Sequence, residues 1–137
     1  MLSARNQLSG EIKSISRGEV TAEVIIITSG GVEISSIITL GSCVRMNLEP
    51  GDNVIAVVKA SDVIVAIGSD FVISCRNNIQ GIIKKIISGP VSNEIVIDAD
   101  GTELVSIITQ SSVKRLKLIE NMKVSALIKA SNVIVMK

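Results

Sequence analysis

Apolar residues in this chain come in short runs bounded by polar and turn-forming residues. Val20 to Ile27, Ile34 to Thr39, Val54 to Lys59 and Val63 to Ile67 are rich in Val and Ile. β-Branched side chains fit a pleated surface and have little χ1 freedom left to lose there, so these runs predict strands. Residues 10 to 16 alternate more loosely and predict another. Ser29-Gly30-Gly31 is a hairpin signal between the second and third strands. Ser42 to Leu48 has room for one or two helical turns, closed by Pro50-Gly51-Asp52. A tight Ala60-Ser61-Asp62 turn is expected to join the last two strands. Alternation is not strict. Ile25, Ile26 and Ile27 are consecutive, as are Val63, Ile64 and Val65. Consecutive apolar residues face both sides of a sheet. Both sides then need cover, and contacts between repeats or between subunits are expected.

The whole pattern is written twice. SARN at Ser3 to Asn6 recurs as SCRN at Ser74 to Asn77, and GEIKSI from Gly10 as GIIKKI from Gly81. GEVTAEV from Gly18 is matched by GPVSNEI from Gly89. SIIT at Ser36 returns at Ser106, and KASDVIV from Lys59 returns as KASNVIV from Lys129. The second copy is one residue shorter at the Gly30-Gly31 turn. The units are residues 1–69 and 70–137, with a short linker near Gly68-Ser69-Asp70. Each unit holds five strands and one short helix. The expected fold is all-β: two tandem OB-like five-stranded β-barrels, each with one short helix. A unit of this size is marginally stable alone, which again favours a homo-oligomer.

Composition narrows the function. Of 137 residues 47% are hydrophobic but only Phe71 is aromatic, so the core must be aliphatic. Modules that bind single-stranded nucleic acid stack bases on aromatics, and a formal net charge of +1 is low for a phosphate backbone. With no His, the common zinc sets are absent. Cys43 and Cys75 occupy non-equivalent places in the repeats and read as reduced cytosolic thiols. Neither has a His partner, no nucleophile–base pair is visible, and an enzyme is not expected. The opening MLSARNQLSG has no signal-peptide pattern, and apolar runs of about five residues are too short for a membrane span. A soluble, cytoplasmic protein is expected, with no cofactor and with neither nucleic acid nor membrane as partner.

Three polar groups recur in both copies. They are Ser3, Arg5 and Asn6 with Ser74, Arg76 and Asn77; Thr39 and Ser42 with Thr109 and Ser112; and Lys59, Ala60 and Ser61 with Lys129, Ala130 and Ser131. They offer hydroxyls, a guanidinium, an ammonium and turn N–H groups, and contain no carboxylate. A set of donors without an acceptor suits an anion. Each member also has a plain reading. Ser42 and Ser112 sit where a helix begins and fit an N-cap. Arg5 and Lys59 fit solvated surface, and Asn6 fits a turn. Gly30-Gly31 fits a hairpin, since no phosphate-loop or dinucleotide fingerprint is present. Recurrence of all three groups together favours binding.

SARNQLSG, GEVTAEV, SIIT and KASDVIV resemble the molbindin or Mop family of molybdate-binding proteins, and the doubled form resembles its tandem di-Mop members. The resemblance covers both repeats. It implies storage, buffering and homeostasis of molybdenum, with molybdate or tungstate as ligand. It also implies a homotrimer of two-domain chains with oxyanions bound between barrels. The motif begins almost at residue 1 with no ATPase or DNA-binding segment, so a free-standing protein is expected. The family's Ser-x-Arg-Asn arm meets the Ser and Lys-Ala-Ser of another module. Ser3 and Arg5 would therefore face Ser42, Lys59, Ala60 and Ser61, or Ser112, Lys129, Ala130 and Ser131, from a different module. Ser74 and Arg76 would do likewise, with Asn6 and Asn77 holding the arms. A second oxyanion site on a threefold axis is implied near Thr21, Ala22, Ser92 and Asn93. Cys75 replaces Ala4, and Asn93 replaces Ala22, so the repeats need not bind equally. The alternatives are a ligand-free structural oligomer and an OB-type nucleic-acid module.

Overall fold

The computed structural model describes residues 2–68 and 70–137; Ser69 of the expected linker lies outside the described residues. In the first repeat β1 is Asn6–Arg17, β2 Thr21–Thr28, β3 Glu33–Thr39, α1 Leu40–Arg45, β4 Asn53–Val58 and β5 Ile64–Ala66. The second repeats the order with β6 Asn77–Ile87, β7 Ser92–Ala99, β8 Thr102–Thr109, α2 Gln110–Leu116, β9 Lys123–Ile128 and β10 Ile134–Met136. Single 3₁₀ turns, Ala60–Asp62 and Ala130–Asn132, separate β4 from β5 and β9 from β10. The fold is all-β with two short helices, as the apolar runs predict. β1 begins at Asn6, so the asparagine of the arm is already part of the sheet.

The two five-stranded sheets have the orders β10-β4-β1-β2-β3 and β5-β9-β6-β7-β8. Every pairing is antiparallel. Each sheet therefore takes one edge strand from the other repeat. Val135 pairs with Ala56, and Val65 with Ala126. The expected tight Ala60-Ser61-Asp62 turn joins β4 to β5, but it does not fold β5 back onto β4. A two-residue hairpin needs positive φ, and none of Ala60, Ser61 and Asp62 has it. Extended residues instead flank the 3₁₀ turn, Lys59 at φ −67 and ψ 139 and Val63 at φ −93 and ψ 112, and carry the chain onward to the other sheet. The buried Ser36 hydroxyl fixes the crossing by donating to Val133 O at 2.6 Å, and buried Ser106 does the same for Val63 O. These are the serines of the two SIIT motifs.

The hairpins explain the missing residue. Asp100 and Gly101, at φ 49 and 92, form a two-residue loop with both φ positive. The first repeat spends Ser29, Gly30 and Gly31 on the same corner, with Gly31 at φ 87. β1 and β6 each shift register once, at Lys13 and Lys84, and such bulges sharpen the curl of a sheet.

One aliphatic core runs through both halves, including Ile26, Leu48, Val58 and Val63 from the first repeat and Ile97, Leu104, Ile128 and Val133 from the second. Ile26 is buried while Ile25 and Ile27 are half-buried on the opposite face, as consecutive isoleucines on a strand require. Ile64 and Ile134, on the exchanged strands, remain 52% and 56% exposed. Among the described residues no helix is long and apolar enough to cross a membrane.

Candidate oxyanion site

Each arm is held by its asparagine. Asn6 donates from Nδ2 to Val105 O at 2.8 Å and accepts from Val105 N–H at 2.7 Å. Asn77 makes the same pair of bonds with Ser35, at 2.8 and 2.7 Å, and adds Ile128 O at 3.2 Å. Both amides are buried. The first arm is thus fastened to β8 and the second to β3, each on the other repeat's sheet. The arginine that precedes each asparagine lands on the neighbouring strand. Arg5 donates to Glu94 through Nη1 at 2.6 Å and Nη2 at 3.2 Å. Arg76 donates to Glu23 through Nε at 3.0 Å and Nη2 at 3.4 Å. The sequence presented the arginines as members of carboxylate-free clusters; the structure corrects that, because antiparallel packing sets a glutamate of the other repeat beside each. The arginine hydrogen bond, then Ser35 for Glu23, holds both carboxyls below the usual glutamate range. The same contacts raise both guanidinium values.

Ser3, Ala4 and Arg5 share a hollow of about 200 Å³ with Lys59, Ala60, Ser61 and Ile107. Within one chain, therefore, the first arm meets the Lys-Ala-Ser turn of its own repeat. That turn itself leans on β8 of the other sheet. Its first internal bond runs from Asp62 N–H to Lys59 O at 2.9 Å. The N–H groups of Ala60 and Ser61 lie ahead of it, as donors do at any helix start. Lys59 and Ser61 are exposed and Ala60 is buried, so the turn offers its two polar side chains to the hollow. In the second repeat Ser74 and Arg76 are exposed, and Lys129, Ala130 and Ser131 occupy the matching 3₁₀ turn against β3. Arg76 lines a separate polar hollow of about 450 Å³ with Ser35, Asn77 and Asp100.

Ser42 and Ser112 are not brought to the arms within one chain. They follow Thr39 and Thr109, which pair with Thr21 and Ser92 at the far end of each sheet. Nor are they the N-caps. Thr39 and Thr109 cap the helices, accepting the N–H of Ser42 at 3.0 Å and of Ser112 at 3.1 Å. Both serine hydroxyls also accept from the capping threonine. The second predicted set lies at this same end. Thr21 and Ser92 are exposed, whereas Ala22 and Asn93 are buried. Asn93 accepts from Gly89 N–H at 3.0 Å and donates to Gln110 Oε1, so its amide ties the strand to the start of α2.

A model of the TOBE domain matches residues 2–65 and again residues 73–135. The chain belongs to the TOBE domain family. Its two TOBE domains are of the Mop type. The cytoplasmic molybdate-binding protein ModG, solved with molybdate bound, superposes with a TM-score of 0.94 at 38% identity, covering 98% of this chain and 97% of that one. The molybdenum-pterin-binding protein MopA of Rhodobacter capsulatus is 37% identical over 134 residues, 96% of this chain. The chain spans about half of that relative's length, 51%. Molybdenum-pterin-binding protein 2 of Clostridium pasteurianum is 44% identical over 64 residues, which is 94% of its length and 47% of this chain.

Two kinds of residue in this TOBE pair were not legible in the sequence. Glu23 and Glu94 were visible only as the last letter of a repeated G-x-V-x-x-E segment. Ser36 and Ser106 were visible only as part of SIIT. The available signal was a polar residue kept in both copies inside an otherwise apolar strand.

Proposed function

We propose that the tandem TOBE pair binds molybdate, or tungstate of nearly the same size, and serves to store and buffer it in the cytoplasm as a homotrimer without catalysing a reaction. One observation carries the reading: Ser3, Arg5, Lys59 and Ser61 converge on one small hollow. A tetrahedral dianion gives up water on binding, and charge-assisted hydrogen bonds from such a set replace it. ModG, alike in fold over nearly its whole length, holds molybdate. Sulfate carries the same charge, so discrimination must come from the size of the cage. The units 1–69 and 70–137 each contribute an arm and a Lys-Ala-Ser turn. The sites are completed when neighbouring subunits bring Ser42 or Ser112 of one module to the arm of another. The threefold sites at Thr21, Ala22, Ser92 and Asn93 belong to the same assembly.

A second reading, a ligand-free structural oligomer, is favoured by the ion pairs that already occupy Arg5 and Arg76. Titration calorimetry with molybdate, tungstate, sulfate and phosphate separates the two. Binding of the first two over the last two is expected, and heat from none of them leaves only the structural reading. Lys59→Ala with Lys129→Ala is expected to weaken binding at least about tenfold without unfolding the chain, as loss of a charged hydrogen bond does. Unchanged affinity rejects the site. Light scattering is expected to give about 43 kDa, three times the 14.4 kDa chain, as closed rotational symmetry allows. A monomer rejects the assembly.

A further inference from the structure

We propose that Glu94 and Glu23 are built-in competitors for the arm guanidiniums, and that Ser35, whose counterpart is Val105, makes the Arg76 arm the easier of the two to release to an oxyanion. The inference rests on the oxyanion reading and concerns how that site is regulated. Each arm arginine has an anion already, so a dianion entering the hollow exchanges with a carboxylate instead of meeting a free cation. The exchange costs whatever the carboxylate loses when its arginine turns away. Glu94 accepts only from Arg5 among the described residues, end-on through both terminal nitrogens, at 2.6 and 3.2 Å. When Arg5 leaves, Glu94 keeps no hydrogen-bond donor among the described residues and only the through-space attraction of Lys85. Glu23 accepts from Arg76 at 3.0 and 3.4 Å and also from Ser35 Oγ at 2.9 Å.

Two facts put the Arg76 arm ahead. Its contacts are longer, and charge-assisted bonds weaken with length. In addition, Ser35 and the Arg76 Nε–H share one oxygen, Oε2. An acceptor split between two donors binds each less strongly. The Ser35 bond tightens when Arg76 departs and offsets part of the loss. Val105 at the equivalent position has no side-chain donor, so nothing similar helps Glu94. The two carboxylates are equally exposed, at 28% and 29% of the side chain. Lys85 near Glu94 and Glu33 near Arg76 act the other way, but only through space and more weakly than the hydrogen bonds, so the serine remains the main hydrogen-bonding difference between the latches. The repeats then fill in order, the Arg76 arm before the Arg5 arm.

The test is calorimetric titration of the full chain with sodium molybdate, with urea unfolding of each variant in the absence of molybdate. The unmodified chain is expected to show two classes of arm site. Glu94→Gln, which removes the competitor and its repulsion, is expected to tighten the weaker class by roughly two- to tenfold, starting from the modest worth of an exposed ion pair. A glutamate that merely supports the fold would give weaker binding when replaced, not tighter. Val105→Ser is expected to tighten the weaker class by roughly threefold, and Ser35→Val to loosen the tighter class by a similar factor, the size of one neutral hydrogen bond. Ser35→Thr, which keeps the hydroxyl, is expected to restore it. If the unmodified chain binds molybdate but Glu94→Gln binds no tighter, or the Ser35 and Val105 variants move in other directions, the competitor inference falls and the oxyanion reading stands. If neither the unmodified chain nor any variant takes up molybdate, the oxyanion reading falls and this inference with it.

Discussion

A buried amide that answers both the N–H and the C=O of one residue on another strand acts as a side-chain copy of a β-bridge, and this chain uses it twice. Replacing Asn6 by Ala strands the Val105 N–H and C=O away from water. The expected loss is about 2–4 kcal/mol in urea unfolding, since each buried unpaired group costs about 1–3 kcal/mol. A loss under about 0.5 kcal/mol, ordinary for an exposed residue, would show that the arm is not fastened this way. The arm glutamates set an acid limb. Their folded values lie below the ordinary 4.5, so the stability they add is complete above that value and is lost as pH falls through the lowered one. The double variant Glu23→Gln, Glu94→Gln is expected to show a shallower loss of unfolding midpoint below pH 4.5 than the unmodified chain. An identical slope would remove the ion pairs from the folded state in solution. The arm and turn residues were legible because each is a short local motif repeated whole. Glu94 and Glu23 were not, because the partner of Arg5 stands 89 positions away and only the folded register brings it near.

At the level of strands and helices, the apolar runs located every strand within a few residues. Helix starts were less legible, since Thr39 and Ser42 are both good caps and the chain uses the earlier one. The partner of each edge strand was not legible at all. β4 and β9 present nearly the same aliphatic edge, Val54-Ile55-Ala56-Val57-Val58 and Val124-Ser125-Ala126-Leu127-Ile128, so either accepts either short strand. The outcome depends on a turn that cannot reverse direction and on serines that hold its exit. β1 and β2 approach so closely that a Cβ at Gly10 would lie 2.5 Å from Ile27 O, and between β6 and β7 one at Gly81 would lie 2.8 Å from Asp98 O. Gly10→Ala is therefore expected to cost about 1–3 kcal/mol, as overpacking does, whereas Gly51→Ala meets no neighbour and is strained only by its φ of 94. A loss under about 0.5 kcal/mol for Gly10→Ala in chemical denaturation would contradict the close approach.

For the molecule as a whole, exchange of β5 and β10 makes the halves mutually dependent. Lys137 adds a further tie, donating to Asn47 O at 3.1 Å and pairing with Asp52 at 3.1 Å in the opposite repeat. A protease site placed between Asp70 and Ser74 and then cut is expected to leave both fragments eluting together in native buffer and apart only in denaturant. Separation in native buffer would mean that each repeat keeps its own strand. The duplication was plain from sequence, but interdependence is a property of the folded register, which repeats of equal pattern do not specify.

The placement of β10 has a consequence for how the protein is made. A ribosome delivers the first repeat complete in sequence but short of an edge, because the strand that covers β4 is translated only after the rest of the second repeat. Until β10 emerges, the nascent chain carries an open ladder of N–H and C=O groups that any extended neighbour is able to zip onto. A translational pause between β9 and β10 would prolong that exposure, whereas the same pause after β10 would not.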